Sequence, residues 1–406
     1  MGFADVVRKS WEGHHLLSVL IELTYRCNLS CWFCYNDTRR EGRALELDDY
    51  RRLLGDLAEM GVLQLVLTGG EPLTHPHFFA IGSHARELGF VVRLKSNGHL
   101  IDAATARRLR EEVDPFVVEV SLHGARAETH ERQTRVAGSF DRLLRNLEHA
   151  REAGLRLAIN STLTRWNEDE IEAMMELAGR LGLPLNVDPV VTVRDDGDTS
   201  PLSIAPSPAG LERLLRLQRE RARRLAAAGP AAEIPAPEIS VGRDADRFMP
   251  SSPAAGSDAP AEGAGGRSAG TQPRPTHTKH CGAGTGGAAI DPFGDVYPCV
   301  QWRVPIGNVL ETSIREIWRG SPALDRVRRE NEEVHRERAG EGEWGKALGF
   351  CPGAAALETG SATGIYPAAR RRADVTRRLA EESTSETETS SQAATEARPL
   401  LPVIQG

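Results

Sequence analysis

The sequence predicts an α/β fold: a partial (β/α)6 TIM-like barrel followed by a small C-terminal module that contains a β-hairpin. Three observations carry this. Between residues 17 and 190, short apolar segments alternate with helical ones, as in strands linked by crossover helices into a parallel sheet. Along those apolar segments, polar residues recur at every second position. Near the C-terminus, Ile290-Asp-Pro-Phe-Gly-Asp-Val-Tyr297 reads as two strands around a turn built on Pro292 and Gly294, with a cysteine on either side.

Residues 1–16 form a segment ahead of the first strand. Strands are expected at 17–24, 63–68, 90–96, 116–121, 157–162 and 185–190. Helices are expected at 47–60, 77–88, 103–111, 140–153 and 168–181, with Asp48 and Asn167 at capping positions and Gly89 placed to stop the second. One strand face carries Ile21, Leu23, Leu65, Leu67, Val92, Leu94, Val118, Val120, Leu122, Ile159 and Val187. The other carries Glu22, Thr24, Gln64, Thr68, Arg93, Lys95, Asn97, Glu119, Ser121, His123, Asn160, Thr162, Asn186 and Asp188. A doubly wound sheet buried on both faces reads as continuous apolar runs, and a closed barrel fills its interior with branched side chains. A polar inner face predicts instead a sheet curled about a polar cavity, with a lateral opening because six units fall short of eight. The alternative is that some of these polar residues merely flank strand ends.

An Arg/Leu/Ala-rich helix carries the barrel unit to residue 228. Residues 229–279 are rich in Pro, Ala, Gly and Ser and are expected to form a flexible linker, since such a composition buries little. A module at 280–369 follows. The tail at 370–406, basic and then rich in Ser, Thr and Glu, is expected to be disordered.

With 406 residues, 40% hydrophobic and 26% charged, the chain has an ordinary globular composition. A net charge of −7 argues against nucleic acid as a partner. No apolar run approaches the ~20 residues of a membrane span, and no signal-peptide pattern opens the chain. The expectation is a cytoplasmic protein with no membrane partner. Of the six cysteines, Cys27, Cys31 and Cys34 crowd into one loop, while Cys281, Cys299 and Cys351 lie in the last third. Closely spaced thiols of this kind point to metal or redox chemistry.

Cys27-Asn-Leu-Ser-Cys31-Trp-Phe-Cys34 directly follows the first strand. Three thiolates can hold three corners of a cubane cluster and leave the fourth iron open for a ligand. Structural zinc is the alternative, and it would need a fourth ligand such as a distant His. The spacing, with an aromatic residue just before the third cysteine, resembles the signature of the radical S-adenosylmethionine (SAM) superfamily. Further matches follow in order: Gly69-Gly70-Glu71-Pro72 at the second strand end, Ser96-Asn97-Gly98 at the third and Ser121-Leu122-His123-Gly124 at the fourth.

The resemblance implies a [4Fe–4S] cluster on Cys27, Cys31 and Cys34, with SAM chelating its open iron. Reduction then releases a 5′-deoxyadenosyl radical that abstracts hydrogen from substrate. It implies that Gly69, Gly70, Glu71 and Pro72 hold the SAM amino group and that Phe33 lies near the adenine. Asn97, Ser121 and Thr162 become candidate ribose or carboxylate contacts. Lys95, Glu119 and His123 are candidate catalytic acids or bases from their inner-face positions alone.

The Cys281-x12-Gly294-x4-Cys299 pattern, with Ile306-Gly-Asn-Val-Leu and Ile314-Arg-Glu-Ile-Trp318 after it, resembles the SPASM/twitch extension of radical SAM maturases. A full SPASM module has more cysteines than the one, Cys351, that is left here. The resemblance therefore implies a truncated module with one auxiliary [4Fe–4S] cluster on Cys281, Cys299 and Cys351. Its fourth iron would be open, or bound by His280, Asp291 or substrate. A zinc knuckle, or a module kept only for packing, is the alternative. Enzymes of this architecture commonly modify ribosomally made peptides, which is the expected activity here. A small-molecule dehydrogenase is the runner-up, and a non-catalytic iron–sulfur scaffold or sensor is the alternative of another class. The implied partners are SAM, a peptide or protein substrate, and a reductant such as flavodoxin or ferredoxin. With only about sixteen residues ahead of the barrel, a separate leader-peptide-binding protein is a further candidate.

Overall fold

A computed structural model describes residues 3–228, 280–341 and 349–396. Strands β1 (Ser18–Glu22), β2 (Gln64–Thr68), β3 (Val91–Ser96), β4 (Val117–Ser121), β5 (Leu157–Thr162) and β6 (Leu185–Asp188) pair in parallel, each with the next. Helices α1 (Phe3–Gly13), α2 (Leu47–Glu59), α3 (Phe78–Glu87), α4 (Ala103–Arg108), α5 (Ala127–Thr134), α6 (Ser139–Glu152), α7 (Ile171–Leu181) and α8 (Pro208–Ala228) complete this half of the chain. The apolar strand face packs as expected: Ile21, Leu65, Leu67, Leu94, Val118, Val120 and Ile159 join Leu54, Leu57, Ile81, Leu143 and Met174 in one buried cluster. The opposite face lines one cavity that touches residues from every strand β1–β6. The sheet therefore curls around a partly polar lumen.

The module does not stand apart from the barrel. Its first strand, β7 (Gly287–Ile290), pairs in parallel with β1, matching Ser18 to Gly287 and Ile21 to Ile290. Strands β8 (Asp295–Tyr297) and β9 (Gly307–Asn308) follow antiparallel, so the hairpin is present and extends the barrel sheet to nine strands, ordered β6-β5-β4-β3-β2-β1-β7-β8-β9. Gly294 supplies the turn with φ +87°. Sequence periodicity shows that a strand exists but not which of the two sheet edges receives it; here the β1 edge takes it and the β6 edge does not. Helices α9 (Ile314–Gly320), α10 (Pro322–Gly340), α11 (Pro352–Thr359) and α12 (Pro367–Glu396) complete the module.

Three local expectations change. The cap of α2 is Glu46, boxed with Asp49, whose side chain accepts from Glu46 N at 3.0 Å; Asp48 lies inside the first turn. Asn167 makes no cap bond; its Nδ2 ties His123 O (3.1 Å) to Thr162 O (3.0 Å). The expected disordered tail is a helix through residue 396, with Val375 and Leu379 buried against Leu211 of α8 and Glu382 paired with Arg216 at 2.7 Å. Its apolar residues are sparse but recur on one face, and α8 gives that face a partner. The expected linker at 229–279 and the last residues, 397–406, lie outside the described residues.

Candidate active site

The loop that carries Cys27, Cys31 and Cys34 leaves β1 and is fixed from several sides. Leu23 N donates to Thr68 O (2.8 Å), Gly70 N to Thr24 O (2.6 Å) and Glu71 N to Arg26 O (2.8 Å). The backbone after β2 thus lies along the segment that delivers Cys27, and glycine is required there. Gly69 has φ +139° and a Cβ on it would stand 2.3 Å from Thr24 O; a Cβ on Gly70 would stand 2.4 Å from Arg26 O. Farther on, Ser30 N and Trp32 N donate to Thr134 O (3.2 Å) and Gln133 O (3.0 Å) at the end of α5. Asp195 N donates to Tyr35 O (2.8 Å), and Leu45 N to Pro292 O (2.9 Å) of the hairpin turn.

Glu71 is fully buried, and its carboxylate accepts from Leu73 N (3.1 Å), Ser96 Oγ (2.9 Å) and Asn97 N (2.7 Å). It fastens the end of β2 to the end of β3 and does not line the cavity, whereas Gly69 and Gly70 do. Burial lifts its pKa to about 7 against the pull of those donors. Pro72 is buried at the start of the 3-10 turn Pro72–Thr74. Asn97 reaches back to the cysteine loop: Nδ2 donates to Asn28 Oδ1 (2.7 Å) and Cys27 Sγ (3.7 Å). Glu71 and Asn97 therefore brace the loop.

The cavity measures about 490 Å³. Its wall brings together Cys27, Cys31, Cys34 and Phe33 with Lys95, Asn97, Glu119, Ser121, His123 and Thr162. Phe33 meets His123 edge-on at 4.6 Å. His123 Nδ1 accepts from Thr162 N (3.2 Å), which puts its proton on Nε2, and burial holds its pKa down at about 3, so the ring is neutral at ordinary pH. Glu119 is buried in an ion pair with Arg93 and lies 3.6 Å from Lys95 Nζ. Lys95 and Glu119 are register partners on β3 and β4; this is a fixed charge cluster in the wall.

A network that the sequence did not announce joins barrel to module. Arg303 donates to both Glu22 oxygens (2.9 and 2.7 Å) and lies 3.1 Å from Asp195. The Tyr25 and Tyr35 hydroxyls donate to the same Glu22 carboxylate, each at 3.2 Å. Burial raises Asp195 to about 7, with Arg303 opposing. Glu22 was legible as an inner-face residue, but no motif links it to an arginine 281 residues away.

Both cysteine sets fit iron–sulfur ligation. Burial pushes the Cys27, Cys31 and Cys34 thiols up, and the three sit near enough that Cys34 raises Cys27 and both raise Cys31, so a metal would have to displace their protons. Burial is likewise the leading cause at Cys34. Cys27 Sγ accepts from Leu29 N (3.4 Å) and Cys351 Sγ from Ala354 N (3.4 Å), the N–H···S contacts that suit a thiolate. Cys281, Cys299 and Cys351 pack against one apolar cluster with Trp302, Phe350 and Tyr366, and Cys299 also lines the cavity. Among the described residues no three His, Cys, Asp or Glu side chains close on a single ion. A cubane does not require that, because each cysteine binds a different iron.

Comparison with known proteins agrees with this geometry. The radical SAM superfamily profile matches residues 21–178, and the SPASM iron–sulfur cluster-binding domain matches 281–339. The chain is 32% identical over 354 residues to an AdoMet-dependent heme synthase of Methanosarcina barkeri, spanning 84% of this chain and 92% of that protein. It is 33% identical over 168 residues to a PqqA peptide cyclase of Ruegeria pomeroyi, covering 41% of this chain and 45% of the cyclase. In fold it is similar to anSMEcpe with bound AdoMet and the Kp18Cys peptide, at a TM-score of 0.64, 17% identity, and coverage of 93% and 99% of the two chains. With the three-cysteine loop at the mouth of a partial barrel and a second cysteine set in the module, the chain belongs to the radical SAM superfamily and carries a SPASM-type iron–sulfur domain.

Proposed function

We propose that this chain is a maturase that modifies a ribosomally made peptide by radical chemistry. One observation carries the reading: Cys27, Cys31 and Cys34 share a single cavity with Cys299 of the module, and that cavity lies in a sheet whose β6 edge is unpaired among the described residues. A peptide segment can lie in such an open lumen with its ends outside, between the two cysteine sets. When bound, the [4Fe–4S] cluster and SAM supply a 5′-deoxyadenosyl radical for hydrogen abstraction.

The protein's own residues hold and orient. Cys27, Cys31 and Cys34 would ligate the first cluster, and Cys281, Cys299 and Cys351 the second. Gly69 and Gly70 supply backbone wall, with Glu71 and Pro72 bracing it. Phe33 on His123 forms an aromatic shelf for the adenine, and Asn97, Ser121 and Thr162 are the polar contacts for ribose or carboxylate. Lys95 is the candidate for meeting a substrate carboxylate or moving a proton. Glu119 fixes its position, and neutral His123 can donate through Nε2. The six cysteines, none of them in a disulfide, suit a reducing cytoplasm, and among the described residues no helix is long and apolar enough to cross a membrane. A flavodoxin- or ferredoxin-type reductant and a separate leader-binding protein belong to the same reading.

A second reading rests on the heme synthase, which matches over most of both chains. A carboxylate-bearing tetrapyrrole would suit Lys95 and Arg194 in the cavity wall. Anaerobic incubation with SAM and a reductant separates the two. The test offers any short peptide found encoded beside the gene, or a propionate-bearing iron porphyrin. Release of 5′-deoxyadenosine with a mass change in the peptide supports the maturase. The same change confined to the porphyrin overturns it.

A further inference from the structure

We propose that His280, through Nδ1, is the fourth ligand of the auxiliary cluster held by Cys281, Cys299 and Cys351. His280 directly precedes Cys281, and its Nε2 lies 3.0 Å from the carbonyl of Phe350, the residue directly before Cys351. A carbonyl only accepts, so Nε2 carries the hydrogen and Nδ1 the lone pair. This is the arrangement of metal-bound imidazoles, whose second nitrogen donates to a carbonyl or carboxylate and so fixes the tautomer. Nδ1 is also the ring nitrogen nearer the backbone that carries Cys281. The imidazole thus spans two of the three cysteine-bearing segments, packed edge-on against Phe350 at 5.8 Å.

The scaffold around it is rigid. Asn331, fully buried on α10, accepts from His280 N (3.0 Å) and Cys281 N (3.1 Å), and donates to Cys281 O (2.8 Å). Cys351 N donates to the Tyr366 hydroxyl at 3.2 Å. The competing carboxylate is engaged elsewhere. Asp291 accepts from Phe293 N (2.9 Å), Asp295 N (3.0 Å) and Tyr297 OH (3.1 Å), and pairs with Arg40 at 2.8 Å. All six cysteines of the chain are already assigned. A cluster closed by three thiolates and one imidazole cannot bind substrate at iron. It carries one negative charge fewer than a four-thiolate cluster, which raises its potential. The inference concerns the cluster alone and holds for either substrate.

The test uses the full chain with Cys27, Cys31 and Cys34 replaced by Ala, so that any paramagnetic signal comes from the auxiliary cluster. After anaerobic reconstitution, about four irons are expected. Pulsed EPR of the reduced protein should show a coordinated-nitrogen coupling that changes isotope when histidine is supplied as the 15N form. His280→Ala should abolish that coupling, while His335→Ala and His277→Ala leave it in place. His280→Cys should keep the iron content, lose the nitrogen coupling and lower the midpoint potential; it also guards against a His280→Ala variant that fails to load. The proposal is overturned by zinc in place of iron, by no histidine-nitrogen coupling, or by a coupling that survives in His280→Ala or His280→Cys.

Discussion

Replacing Arg303 by Met isolates the contact that joins module to barrel. The guanidinium is 9% exposed and the Glu22 side chain 0%, and the fork onto Glu22 closes at 2.9 and 2.7 Å with Asp195 beside it at 3.1 Å. Removing one partner of a buried ion pair typically costs about 3–5 kcal/mol, because the other charge is left in a low-dielectric site. Here Tyr25 and Tyr35 still donate to Glu22, so the lower end, about 3 kcal/mol, is expected. That is roughly two decades in the unfolding equilibrium.

The cost of Arg303→Met should depend on pH. Asp195 already titrates near pH 7 in the intact site, held down by Arg303, and loss of that cation leaves its carboxyl further above the unfolded value of about 4. Groups with raised folded pKa values favour folding at acid pH and lose that contribution as pH rises. Arg303→Met should therefore be worse at pH 8 than at pH 6. Urea denaturation of the reconstituted parent, Glu22→Gln, Arg303→Met and the double variant measures this. The double variant should recover most of the loss, with a coupling of about 2 kcal/mol or more. The reasoning is refuted if Arg303→Met lies within about 0.5 kcal/mol of the parent at pH 8, or if the double variant is no better than the single.

Gly70→Ala would press a Cβ to 2.4 Å of Arg26 O, so the cysteine loop must shift. The iron content should fall from about eight toward four while the auxiliary signal persists, and full iron content would contradict the bracing role. His123 is held neutral with a pKa of about 3, below its ordinary value, so it contributes stability above about pH 6.5 that is lost as pH falls toward 3. His123→Gln should therefore show a smaller drop in urea midpoint between pH 7 and pH 5 than the parent, and equal drops would count against the assignment. Leu379 is 2% exposed on α12 against α8. Leu379→Ala should cost about 2–3 kcal/mol and speed proteolysis of the C-terminal segment, whereas an unstructured tail would register neither.

Much of the cavity wall is written in local sequence. A strand of period two puts alternate residues on one face, so Lys95, Glu119, Ser121 and Thr162 could be placed in the lumen before any coordinates, and a motif of eight residues declares its own cysteine loop. These are short-range properties, fixed by backbone geometry. The roles within the wall were less legible. Glu71 and Asn97 stand in a recognisable pattern, yet their side chains are spent on strand ends and on Cys27, which depends on partners 26 and 70 residues away.

Three features belong to tertiary structure alone: the Arg303–Glu22–Asp195 network, the seating of β7 on β1, and the packing of α12 on α8. Each depends on surfaces distant in sequence meeting, and neither charge pattern nor hydrophobic periodicity records which partner a buried carboxylate, a free strand edge or a weak apolar stripe will find. The sequence by itself determined the chemistry, through three cysteines at fixed spacing after a strand. Only the fold decided how that chemistry is held, because burial and charge pairing are properties of the packed molecule.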